Sequence, residues 1–216
     1  MKSRMGSDSR HQCLIYEGPA SQQLPAVAEA MRERLQKNYR CLYLNSPSMV
    51  SGMRWCLSAG GMNVAGESAR GSLVLSSQQT LLPGGIFDIQ YMLNALKAGL
   101  DSALNDGYKG LFATGDIGWE FGPQKDFSRL LEYEQRLEEF MHAHPEMCGI
   151  CQYRADILPR ETTRHGLITH TAIFVNETVS LVNPKYLRPE RFKHEKAENF
   201  ELDAFISRLI DDESMN

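Results

Sequence analysis

The sequence lacks several features that would assign it to a familiar class of protein. Its 216 residues contain no apolar run close to the roughly 18 residues that suggest a membrane span. The first ten residues are polar, without the apolar core of a signal peptide. Cysteine is scarce, and the odd number of five fits reduced thiols better than a disulfide framework. We therefore expect a cytoplasmic protein.

Positive charge is also in short supply. The chain has 23 Lys and Arg against 27 Asp and Glu, a formal net charge of −4. Such a field repels nucleic acid and anionic lipid rather than gathering them. Direct binding to nucleic acid or to a membrane surface is therefore not predicted.

Motifs for common hydrolytic chemistry are missing as well. The turn EGPASQQLP at residues 17–25 has one glycine and no lysine, and no Gly-Lys dipeptide occurs in the chain. Without that lysine, the charge on nucleotide β- and γ-phosphates loses its usual partner. The segment Leu44-Asn45-Ser46 offers no acid to orient an attacking water, and there is no G-x-S-x-G elbow. The sequence therefore argues against a phosphate-loop ATPase and against a serine hydrolase.

Short β-rich runs alternate with longer amphipathic stretches, which is typical of an α/β layer fold. The clearest helix follows Asp88, where Ile89, Met92, Leu93 and Leu96 share one face. Helices are predicted from 24 to 36, from Pro47 to Gly60, from Asp88 to Asp106, and in a segment that carries Phe127 and ends before Pro145. Strands are predicted at 12–16, 41–44, 73–75, 110–114 and 147–153, with a hairpin of 172–175 and 179–182.

The length favours one domain with small extensions. We predict a three-layer α/β domain with a mainly parallel sheet at residues 11–187, preceded by a disordered segment at 1–10. Residues 188–216 are predicted to be a charged linker that ends in a helix, too short for a separate helix-turn-helix unit. This helix either packs on the domain or on a partner, or belongs to a solvated tail.

Asp116 follows an apolar strand, on the side of an open α/β sheet where ligands collect. Trp119 and Glu120 come shortly after it. In the functional interpretation Trp119 is an apolar wall of a pocket, and Asp116 or Glu120 is a polar contact that orients a ligand. A tight Gly-Asp turn followed by an aromatic core residue explains the same pattern without a ligand.

Residues Cys148 and Cys151 form a CxxC motif, which raises redox and metal roles. No second CxxC occurs, and the motif lies in a strand-like run rather than at the start of a helix. Because residues three apart in a strand point to opposite faces, the pattern favours buried thiols. If the sheet is parallel, the run ends at Tyr153 on the same edge as Asp116.

Three of the six histidines, His11, His165 and His170, sit beside predicted strand ends. A metal site built from them and Cys151 stays open as an alternative. Without a matching acid motif, structural histidines are the favoured interpretation, and no metal or cofactor is predicted.

The order of the segments is more specific than any one of them. HxCLIYE at 11–17, YRCLYL at 39–44, GLFATGDIGWE at 110–120, LLEYEQRLEEF at 130–140 and ICQY at 150–153 together resemble the MEDS domain, the methanogen/methylotroph DcmR sensory domain. The resemblance covers about residues 11–187 and depends most on the G-D-x-x-W turn and the C-Q-Y strand end. The same order is similar to a degenerate relative of the circadian-clock ATPases, which implies a RecA-like P-loop NTPase fold lacking a functional Walker A motif.

Positions that match the family pattern are spread over these segments. They are His11, Tyr16, Gly115, Asp116, Trp119, Glu134, Cys151, Gln152, Tyr153 and His170. One departure concerns His170, which is followed by threonine where relatives tend to have proline. We expect a ligand pocket at the carboxyl ends of the strands, lined by His11, Tyr16, Asp116, Trp119, Glu120, Cys151, Tyr153 and His170.

The resemblance implies a prokaryotic sensory domain that recognises small hydrocarbon-derived molecules and occurs alone or joined to DNA-binding or histidine-kinase modules. We expect a non-enzymatic sensor that signals through a partner protein, a histidine kinase or a transcriptional regulator, with a homo-oligomer left open. Two alternatives stay open. One is a nucleotide-binding switch or ATPase-like protein that uses the degenerate phosphate loop, and the other is an interaction module that binds no small molecule.

Overall fold

A computed structural model of the chain describes residues 10–77, 87–120, 126–176, 179–188, 191 and 200–213. The strands are β1 (His11–Tyr16), β2 (Arg40–Leu44), β3 (Leu73–Ser76), β4 (Leu111–Asp116), β5 (Met147–Arg154), β6 (Ala172–Asn176) and β7 (Val179–Val182). The helices are α1 (Leu24–Gln36), α2 (Pro47–Ala59), α3 (Val64–Ala69), α4 (Ile89–Asn105), α5 (Ile117–Glu120), α6 (Leu130–Ala143), α7 (Arg160–Thr169) and α8 (Phe200–Glu213). The disorder predicted for 1–10 lies, apart from Arg10, outside the described residues.

The strands form one sheet in the order β3-β2-β4-β5-β1-β6-β7. Every neighbouring pair is parallel except β6 and β7, which form the predicted antiparallel hairpin. The α/β class and the mainly parallel sheet are thereby confirmed. The RecA-like relation stays a prediction.

Helices cover both faces of the sheet, which gives the predicted three layers. On one face, α4, α6, α7 and α8 pack on side chains such as Cys13, Leu111 and Tyr153. On the other, α1, α2 and the start of α3 pack on Leu14, Tyr43 and their neighbours. Consecutive residues of a central strand therefore serve different cores, since strand side chains alternate between faces.

Three helices were missing from the sequence prediction. The short α3 and α5 are too brief to develop a periodic pattern, and α7 has the sequence RETTRHGLIT, in which β-branched residues and a glycine hide its helical face. Gly166 lets α7 approach the sheet, because a Cβ at this position would lie only 2.5 Å from the Tyr153 ring. Phe127, predicted to be helical, precedes α6.

The C-terminal helix packs on the domain in the structure. Leu202 and Ile206 of α8 are buried in the same core as α4 and α6. Asp203 forms ion pairs with Arg160 and Arg164 of α7, the latter through two hydrogen bonds of 2.9 and 2.5 Å. Among the helices described, none is both long and apolar enough to cross a bilayer.

Candidate functional site

The predicted site residues lie in two places rather than in one pocket. Tyr16, Asp116 and Trp119 lie at the carboxyl edge of the sheet, as predicted. His11, Cys151, Tyr153 and His170 instead point towards α6, on the opposite face from Tyr16. The structure separates these residues because side chains along β1 alternate between the two faces of the sheet. Their role in ligand binding stays a prediction. The side chain of Glu120 lies outside what the structure describes.

The first place is a cleft of about 720 Å³ between the loop after β1, the start of α2, and α5. We call it the edge cleft. Its apolar lining includes Leu24, Met49, Trp119 and Ile157, and its polar lining includes Asp116. Ile157 is 53% exposed, so one wall presents an apolar side chain to solvent.

Asp116 is fixed in orientation by two donors. Its Oδ1 accepts a hydrogen bond of 2.9 Å from the Trp119 backbone N–H, and Tyr16 donates its hydroxyl to Oδ2 at 3.4 Å. Burial raises the pKa of Asp116, and these hydrogen bonds partly offset the effect. Arg154 supplies the positive charge of the cleft and is itself held by Asp156 through bonds of 2.9 and 3.0 Å.

The Asp116→Asn variant is expected to gain stability relative to wild type as the pH rises. Because the folded-state pKa of Asp116 is raised, wild type loses stability above the unfolded-state value of about 4, until the raised pKa is passed. Asparagine keeps an oxygen for the Trp119 N–H and carries no charge. Urea unfolding of both proteins at about pH 4 and about pH 8 measures the difference. This expectation is contradicted if the difference in unfolding free energy between the two proteins is the same at both pH values, or if wild type gains relative stability at the higher pH.

The second place is a buried group of four side chains, His11, Glu134, Cys151 and His170, which we call the histidine cluster. One potential ligand atom from each lies within 4.8 Å of all the others. Glu134 Oε2 is 3.7 Å from Nε2 of both histidines, and Cys151 Sγ is 3.8 Å from His11 Nε2. The residues come from β1, α6, β5 and the end of α7, so the tertiary fold assembles the cluster.

Polar neighbours determine which atoms of the cluster point inward. His11 donates from Nδ1 to Glu138 Oε2 at 2.8 Å, and His170 donates from Nδ1 to the Gly166 carbonyl at 2.6 Å. Tyr153 donates its hydroxyl to Glu134 Oε1. The Nε2 atoms of both histidines and Oε2 of Glu134 are therefore left to face one another.

Two of the inward atoms have no hydrogen-bond partner among the described residues, namely Glu134 Oε2 and His170 Nε2. Both side chains are fully buried. Each unsatisfied buried polar atom costs about 1–3 kcal/mol, and a charged group costs more. Burial accordingly raises the pKa of Glu134 to about 7 and lowers the pKa of His170 well below its usual value.

Glu134 is the cluster member that sequence reasoning did not select as a ligand-binding candidate. It occupies a position on α6 between the buried Leu130 and Leu137, where an apolar residue is the ordinary choice. An acidic residue within this apolar stripe is the sequence signal that could have identified Glu134 as a site residue. His165, which the sequence offered as a metal ligand, instead pairs with Glu161 on its own helix at 3.0 Å. Cys148 packs on the other face of the sheet, as predicted from the spacing of the CxxC.

The fold is a mainly parallel α/β domain with a cleft of about 720 Å³ at the strand ends. The family model of the MEDS domain, the methanogen/methylotroph DcmR sensory domain, matches residues 10–171, three quarters of the chain. The chain therefore belongs to this family of sensory domains. A search of curated proteins gave no match.

Proposed function

We propose that this chain is a non-enzymatic sensory domain that binds a small, largely apolar molecule in the edge cleft and signals through a partner protein. Membership of a sensory-domain family supports the general role. The single observation that carries the ligand proposal is the edge cleft itself, in which an oriented acid lies beside an aromatic wall. Its volume of about 720 Å³ falls within the range typical of small-molecule sites.

The lining of the cleft favours a particular kind of ligand. Trp119, Met49 and Leu24 offer apolar contacts, and Asp116 offers one acceptor or, when protonated, one donor. Arg154 is already paired with Asp156 and is not available as an isolated cation. A short hydrocarbon derivative with one hydroxyl, amine or similar group fits this combination.

The same cleft is poorly equipped for a nucleotide. The loop after β1 has no lysine, and Pro25 in the first turn of α1 removes one of the backbone N–H donors that would face a phosphate. Asp116 accepts from Trp119 and Tyr16, and the latter contact would weaken it as a base for an attacking water. These features support binding without phosphoryl chemistry.

Tryptophan fluorescence provides the test, because the chain has only two tryptophans and Trp55 is 72% exposed. The Trp55→Phe variant leaves Trp119 as the only tryptophan, inside the cleft. We expect short-chain alcohols, amines and halogenated alkanes, titrated as a panel, to include at least one compound that saturably changes its emission. Replacing Trp119 with alanine should weaken binding of that compound by about 2 kcal/mol, roughly 30-fold, in calorimetry.

Trp55→Ala is the matched control and should leave the calorimetric affinity unchanged. Equal affinities for wild type and Trp119→Ala would remove the cleft from the binding site. ATP with magnesium is included in the panel. Saturable binding of ATP at micromolar concentration would instead support the nucleotide-binding alternative.

A further inference from the structure

The spacing of the histidine cluster matches a metal coordination sphere. In a tetrahedral zinc site, nitrogen and oxygen ligands lie about 2.0–2.2 Å from the ion and sulfur about 2.3 Å, which places neighbouring ligand atoms about 3.3–3.8 Å apart. Three separations between ligand atoms of different side chains in the cluster are 3.7, 3.7 and 3.8 Å. The remaining pairs lie within 4.8 Å, so small side-chain rotations complete a tetrahedron.

We propose that His11, Glu134, Cys151 and His170 bind one divalent transition-metal ion of the zinc class. The donor set of two imidazoles, one carboxylate and one thiolate suits such an ion, whereas magnesium and calcium take oxygen ligands. One carboxylate and one thiolate also balance the charge of a divalent cation. This site is separate from the edge cleft and does not depend on the ligand proposed there.

The neighbours of the cluster prepare these atoms for a metal. A histidine that binds a metal through Nε2 typically donates its Nδ1 hydrogen to a carboxylate or a backbone carbonyl. His11 does so to Glu138, and His170 does so to the Gly166 carbonyl. Tyr186 in turn donates to Glu138 Oε1 at 3.0 Å, which fixes that carboxylate.

The buried atoms without hydrogen bonds are a second, independent observation. Glu134 Oε2 and His170 Nε2 are fully buried, point at each other across 3.7 Å, and make no hydrogen bond to any described residue. A carboxylate oxygen and an imidazole lone pair repel each other unless a proton or a cation lies between them. A metal ion satisfies both at once.

Four protein ligands fill a tetrahedral ion, which makes this a closed site. Closed sites stabilise a fold or respond to metal availability, whereas hydrolytic sites keep one position for water. Because the ligands belong to β1, α6, β5 and the end of α7, binding would cross-link four elements that are distant in sequence. The ion is therefore expected to raise the stability of the whole domain.

Cobalt(II) tests the site directly, since it replaces zinc and reports its ligands by absorption. Full-length protein treated with a chelator and dialysed should bind one cobalt ion per chain, with visible bands of tetrahedral intensity and a near-ultraviolet sulfur-to-cobalt band. One equivalent of zinc should displace it and raise the melting temperature. Wild-type protein that shows none of these signals overturns the proposal.

Two cysteines on the same strand provide matched variants. Cys151→Ala should lose the sulfur-to-cobalt band, whereas Cys148→Ala, whose side chain lies on the opposite face, should keep it. Glu138→Gln replaces the carboxylate that accepts from His11 with a neutral amide and alters no metal ligand, so it should weaken zinc binding by about 10- to 100-fold. Cobalt bands that survive in Cys151→Ala, or that disappear in Cys148→Ala, contradict the assignment. Circular dichroism of each metal-free variant confirms that it is folded. If a variant does not fold, the cobalt titration of the wild-type protein alone tests the metal site.

Discussion

Replacing Gly149 with alanine is expected to cost about 3 kcal/mol of unfolding free energy or more. The new Cβ would lie 2.3 Å from the carbonyl oxygen of Ala113, its partner across the β4–β5 pair. Both strands are central in the sheet, so neither backbone can move aside without disturbing further strands. Overpacking usually costs about 1–3 kcal/mol, and contact with backbone puts this position at the upper end or beyond.

Gly99→Ala is the matched control, because it adds the same methyl group in a place with room. There the new Cβ would be 3.4 Å from a Leu111 methyl carbon, an ordinary contact, and the position is inside helix α4. Alanine favours a helix over glycine by about 0.5–1 kcal/mol, so this variant should be equally or more stable than wild type. Urea unfolding followed by circular dichroism compares the two. If both variants had the same urea midpoint, the close contact between Gly149 and the Ala113 carbonyl would be contradicted.

The double variant Leu202→Ala, Ile206→Ala is expected to lose about 4–6 kcal/mol of unfolding free energy. Both side chains are more than nine-tenths buried, at 7% and 8% exposure, in the core shared with α4 and α6. Shortening a buried Leu or Ile to Ala costs about 2–5 kcal/mol, and the lower part of that range suits side chains near the surface. Thermal and urea unfolding measure the loss.

Ser207→Ala on the exposed face of the same helix is the control and should change stability by no more than about 0.5 kcal/mol. The double variant also bears on the interaction-module alternative. If α8 served only to bind a partner, the double variant would keep the stability of wild type while losing partner capture in a pull-down. Such a result would contradict the packed helix.

Secondary structure was largely predictable because this fold repeats one simple pattern. The apolar stripe that begins at Ile89 and the stop at Asp106 placed α4 almost to the residue. In the structure the Asp88 carboxylate caps this helix by accepting from the Tyr91 N–H at 2.7 Å. Apolar runs that end in turn residues placed the strands in the same way. Helix α7 was not predicted because it packs on the sheet through Gly166, which lies against the Tyr153 ring. A glycine contact of this kind leaves no periodic apolar pattern in the sequence.

The site was predictable only in part, because its assembly depends on strand neighbours rather than on sequence neighbours. Asp116 and Trp119 lie close in sequence, so their shared cleft could be anticipated. The histidine cluster needs β1 to lie between β5 and β6, which brings His11 beside Cys151 and His170. No local spacing encodes that order, and Glu134 reaches the cluster from a helix on a different layer.

Helix α7 contacts both the histidine cluster and helix α8. It ends beside His170, and its Arg160 and Arg164 hold Asp203 of α8. If metal binding fixes the end of α7, it also favours the docked position of α8. Thermodynamic linkage is reciprocal. Consider a partner that binds the apolar face of α8 and so displaces this helix from the domain. Such a partner would weaken metal binding by a certain factor, and the metal would weaken binding of the partner by the same factor.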